Sequence, residues 1–76
     1  MSAVREAALR ARDSLQRVRE YIKAGVLEPT GEQTVELFKL VVDLRLADGD
    51  EETIAAVTRV DEFLRRVCPA VMGGVN

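Results

Sequence analysis

Residues 4 to 22 place Val4, Ala8, Ala11, Leu15, Val18 and Ile22 at successive spacings of four, three, four, three and four. An α-helix gathers such positions onto one side, because residues three and four apart lie one above the other, whereas a strand needs alternation by two. The result is a narrow apolar seam of the coiled-coil kind, and a seam of this sort is stable only against other helices. Gly25 follows it and suits the left-handed position that closes a helix, with Pro29 a few residues on. A first helix is therefore expected over about residues 2–24.

The next start signal is Thr30, followed three residues later by Gln33 in the form of a capping box, with Glu32 placed in the first turn. From Gln33 to Ala47 the chain contains neither Gly nor Pro, which gives a second helix over about 31–47; the β-branched pair Val41-Val42 would also suit a strand. Asp48-Gly49-Asp50 breaks the pattern, and either Asp can cap a third helix whose first turn holds Glu51 and Glu52. Its apolar positions are Thr53, Ala56, Val57, Val60, Phe63, Leu64 and Val67, while Glu51, Thr58, Glu62 and Arg65 face away. Pro69 ends it, so this helix is expected over about 50–68. Residues 70–76 show no periodicity and read as a flexible C-terminal tail, in which Val71 and Met72 are able to dock on the bundle.

Three helices in 76 residues make one domain, 1–69, and an all-α fold: a small three-helix bundle, or a helical hairpin with a third helix, that completes its core by dimerisation. The case for dimerisation rests on the shortage of core. Only Tyr21, Phe38 and Phe63 are aromatic and there is no Trp, so the interior must be built from aliphatic side chains that bury less area each. In a domain this small such burial barely exceeds the entropy of ordering the chain, and assembly is a common source of additional stability.

The second helix carries the strongest pointer to function. On a wheel of 100° per residue its apolar side chains cover roughly 260°, leaving Glu32, Glu36, Lys39 and Asp43 as a polar strip. One apolar side is Leu37, Leu40, Val41, Leu44 and Ala47; the other is Val35, Phe38, Val42 and Leu46. Two neighbouring helices cover less than this, so one flank is expected to stay exposed and to mark a partner interface, at Val35, Phe38, Val42 and Leu46. The alternative is that Leu27, Val71 and Met72 cover it.

Charge supplies the second pointer. The chain carries −2 overall, but residues 1–25 hold six basic and three acidic side chains and residues 26–76 five basic and ten acidic ones. Arg5, Arg12, Arg19 and Lys23 run along one flank of the first seam and Arg10 with Arg17 along the other, the positions of partner-selecting charges in coiled coils. They are expected to meet an acidic helix, with Glu36 and Asp43 of the second helix available. A nucleic-acid-associated regulator using this Arg-rich helix is the alternative, but the net charge and the interspersed Glu6, Asp13 and Glu20 argue against nucleic acid. A helix-turn-helix reading fares no better, since the third helix would present Glu51, Glu52, Asp61 and Glu62 to the phosphates.

No catalytic constellation is evident, so the chain is read as a non-enzyme with no cofactor. There is no His, no glycine-rich phosphate loop, and a single cysteine, Cys68, with no base beside it in sequence. One Cys without His cannot make a typical structural zinc site. A calcium loop beginning at Asp48 would need Gly where Thr53 stands and a bidentate acid where Arg59 stands, so helix capping is the better account of Asp48, Asp50 and Glu52. The lone cysteine, the absence of an apolar leader and the lack of a membrane-length apolar run set the expectation of a soluble, cytoplasmic chain. The expected function is a small protein–protein interaction module, an adaptor, chaperone-like subunit or inhibitor, that binds itself as a homodimer or a larger protein through an apolar helix face.

Overall fold

The computed structural model describes residues 2–69, which form three α-helices and no strand. They are α1 (Ala3–Lys23), α2 (Gly31–Leu46) and α3 (Gly49–Val67), packed against one another as a small all-α bundle. No described helix is long and apolar enough to cross a membrane. The tail expected over 70–76, with Val71 and Met72, lies outside the described residues.

Local chemistry accounts for each boundary. Ser2 caps α1 by accepting a hydrogen bond from the Arg5 amide at 3.3 Å. At the other end Gly25 adopts φ 78°, its amide donates to the Ile22 carbonyl, and the Val26 amide donates to the Tyr21 carbonyl. That pair of bonds is a Schellman closure, which satisfies carbonyls a helix end would otherwise leave open and requires a left-handed residue that glycine supplies without strain. The capping box of α2 is complete: Thr30 Oγ1 accepts from the Gln33 amide at 3.1 Å, and Gln33 Oε1 accepts from the Thr30 amide at 2.9 Å.

The start of α3 differs from the sequence expectation. Asp48 occupies the cap position but makes no side-chain cap bond; instead the Glu52 carboxylate reaches back and accepts from the Asp48 amide at 3.0 Å. The helix begins one residue earlier than expected because Gly49 turns at φ 87°, letting two residues, Ala47 and Asp48, connect α2 to α3. It also ends one residue earlier, at Val67. Pro69 disfavours helical backbone in the residue before it, and Cys68 accordingly leaves the helical region at φ −152°, ψ 71°.

The core collects the seams. Ala11, Leu15 and Val18 come from α1, Leu37, Leu40 and Leu44 from α2, and Ala56, Val60, Phe63 and Leu64 from α3, with Cys68 closing one end. Among the described residues no polar side chain is buried. The helix α3 packs most extensively, on both neighbours, and α1 with α2 least. Arg66 lies over the Phe63 ring, 6.0 Å from its centre, and so shields the aromatic contributor to the core from the outside.

Candidate functional site

The helix α2 has two apolar faces. Leu37, Leu40 and Leu44 are buried, while Val35, Phe38, Val42 and Leu46 are 55, 61, 49 and 74% exposed. At 100° per residue the centres of the two sets lie roughly 180° apart. The exposed residues are therefore an outward face rather than a margin of the buried one, and at 1.5 Å per residue their row runs about 16 Å along the helix. Leu27, a candidate cover in sequence, packs instead against the core and leaves the row open.

Two polar borders flank the row. One carries Glu32 and Lys39, with Glu36 and Asp43 farther round toward α3; the other carries Thr34 and Arg45. The acids of the first border do not meet the arginines of α1, as the charge pattern suggested. Glu36 pairs with Arg66 of α3 at 2.6 Å and Asp43 with Arg59 of α3 at 3.8 Å, both between partly exposed side chains. The physical reason is azimuthal: residues 36 and 43 lie on the side of α2 that turns to α3, while α1 sits against the Val41 side.

Arg5, Arg12, Arg19 and Lys23 are all exposed, and among the described residues none of them joins an ion pair. Arg12 and Arg19 line an open groove of about 500 Å³ between α1 and α2, with Arg45 on its far wall and Leu15, Val41 and Leu44 deeper in. The groove is where the loosest of the three helix pairs leaves space, and it also holds Leu9, which is 49% exposed. Leu9 was absent from the sequence reading of the site; its only signal is an apolar residue outside the three-and-four spacing of its helix, a signal shared by Ile54 of α3, 52% exposed.

Cys68 is a free, buried thiol packed in the core cluster. Among the described residues, no three acidic, histidine or cysteine side chains gather in a way that could hold a metal ion. Compared with known proteins, the chain matches no family model, no curated protein and no solved structure.

Proposed function

We propose that this chain is a small non-catalytic protein–protein interaction module, an adaptor, chaperone-like subunit or inhibitor, that docks through the outward face of α2. The supporting observation is the row Val35, Phe38, Val42 and Leu46, exposed on the side of the helix opposite its buried leucines. A surface helix of a self-sufficient bundle is apolar on one side and polar on the other; a second apolar side gains free energy only when something removes it from water, at roughly 25 cal/mol per Å². The occupant is a second copy of the chain or a larger protein, and the protein acts where it is made, in the cytoplasm.

The test pairs wild type with a Phe38→Asp/Val42→Asp variant, whose substitutions fall on exposed positions and should leave the helical fold intact. Wild type is expected to self-associate in sedimentation equilibrium, or to retain a protein from its host that the variant does not. A wild-type chain that stays monomeric, binds no dye for exposed apolar surface and retains nothing that the variant loses would overturn the reading.

A second reading has one observation in its favour, the cationic row Arg5, Arg12, Arg19 and Lys23, in no ion pair among the described residues, which could hold phosphates as a nucleic-acid-associated regulator. It is the weaker of the two, because Glu6, Asp13 and Glu20 share that helix and the chain is acidic overall. Binding to duplex DNA or RNA that falls steeply with salt would support it, and unchanged mobility of the protein in excess duplex at low salt would remove it.

A further inference from the structure

We propose that the groove between α1 and α2 receives an acidic amphipathic helix of a partner protein, with carboxylates on Arg12, Arg19 and Arg45 and its apolar side on Leu9 and Val41. The site shares no residue with the outward row of α2 and stands without the docking reading of that row.

The side of α1 that borders the groove is built to lie along another helix. One position on from the buried seam runs a second row at the same spacing of four and three, Arg5, Leu9, Arg12, Gln16, Arg19 and Lys23, and all of these side chains are exposed. Such spacing keeps a row on one side of its helix, where a second helix can follow it. The row spans about 27 Å and sets Arg5, Arg12 and Arg19 about 10.5 Å apart, the interval at which a partner of heptad pattern repeats a carboxylate. No acid interrupts it.

The groove adds an apolar base and a second cationic wall. Leu15, Val41 and Leu44 lie deep in it, with Arg12 and Arg19 on one side and Arg45 on the other; Asp13 is the single acid of its lining, against three arginines. Space is left there because α1 and α2 pack least on each other. From α2, Arg45 is the only charged side chain to reach it, since Glu32, Glu36, Lys39 and Asp43 lie elsewhere on that helix.

The chain does not answer these cations itself. Its thirteen acidic side chains all fall within residues 6–62, which the structure describes, and none forms an ion pair with the α1 row or with Arg45. Glu36 and Asp43 are held by arginines of α3. Glu6, Asp13 and Glu20 keep to their own row of α1, roughly 90° round from the arginines, where Glu20 accepts from Gln16 at 3.5 Å. That acidic row stands at the outer margin of the groove, beyond Leu9, and it defines the partner further. The partner's inserted side is acidic and apolar, and its outer edge, over Glu6, Asp13 and Glu20, is neutral or basic. A nucleic-acid duplex presents phosphates across its whole width and would meet the acidic row as well as the cationic one.

The probe is a dye-labelled synthetic helix of three heptads with Leu at the first and fourth positions, Glu at the seventh and Gln elsewhere. Its binding to the full chain is read by fluorescence anisotropy, with circular dichroism to monitor the fold of each variant. The Glu helix should bind and weaken as salt is added, and versions with Gln or Lys in place of Glu should bind at least about tenfold more weakly. Arg12→Glu/Arg19→Glu should reverse the preference and select the Lys version. If that variant does not fold, Arg12→Gln/Arg19→Gln replaces it and should narrow the preference for Glu over Gln at least about threefold. Val35→Ser/Leu46→Ser, on the part of α2 turned away from the groove, should bind the Glu helix like wild type, whatever becomes of the docking proposed for that face. A Glu helix bound no tighter than its Gln version, or indifferent to Arg12 and Arg19, would overturn the site. Short duplex DNA bound as tightly as the Glu helix, and released by the same arginine changes, would overturn the acidic helix as its occupant.

Discussion

The two phenylalanines of this chain offer a paired perturbation, because they are chemically identical and environmentally opposite: Phe63 is 1% exposed in the core and Phe38 is 61% exposed on the outer face of α2. A 76-residue domain at about 0.05–0.15 kcal/mol per residue has only about 4–11 kcal/mol of stability in total. Phe63→Ala removes a fully enclosed ring between α1, α2 and α3 and should cost about 3–5 kcal/mol, enough to leave little folded protein. Phe63→Leu, a milder change of volume, should cost about 1 kcal/mol and keep the fold measurable. Phe38 has less than two fifths of its surface covered, so its share of the roughly 1.5–3 kcal/mol that full burial is worth leaves Phe38→Ala at about 1 kcal/mol or less within one chain.

Urea denaturation at two protein concentrations separates the intramolecular from the intermolecular part. A folded dimer that unfolds to monomers gains about 1.4 kcal/mol of apparent stability per tenfold rise in concentration, and a monomer gains none. Wild type and Phe63→Leu should both show this dependence, and Phe38→Ala should lose it while remaining cooperatively folded. A Phe38→Ala protein destabilised as severely as Phe63→Ala, at every concentration, would refute the placement of Phe38 outside the core and with it the face built around it.

Other perturbations address the boundaries that set the bundle's geometry. Gly49→Ala meets no neighbouring atom within 4 Å but is forced to φ 87°, so thermal or urea denaturation should show a loss of about 1–2 kcal/mol from backbone conformation alone. Thr30→Ala removes one half of the capping box at the start of α2 and should cost about 1 kcal/mol by the same measurement. Glu36→Gln breaks the exposed pair with Arg66, and because water and salt already screen that pair, the loss should stay below about 1 kcal/mol and shrink further in concentrated salt.

Much of this protein was legible before any coordinates. The three-and-four spacing of Val4 to Ile22 and of Thr53 to Val67 named the buried residues of α1 and α3, since in each case one stripe is apolar and only one solution buries it. The Thr30–Gln33 box and the Gly25 closure were likewise local, decided by groups a few residues apart, and the structure shows both as the sequence predicts. The sequence also picked out Val35, Phe38, Val42 and Leu46 as the apolar residues left over. It did so by counting, because apolar positions spread over roughly 260° of the wheel, broken only at Thr34 and Arg45, exceed what two neighbouring helices cover.

What only the tertiary structure decided was direction. The sequence leads us to expect the Val35 face of α2 to stay outside, but what fixes the inward face is where α1 and α3 lie, and they enclose Leu37, Leu40 and Leu44. The same placement sent Glu36 and Asp43 to the arginines of α3 rather than to those of α1, and opened the α1–α2 groove in which Arg12, Arg19 and Leu9 stand. Periodicity specifies a stripe on a single helix, whereas pairing depends on the azimuth at which separate helices meet, and that angle is set jointly by all three.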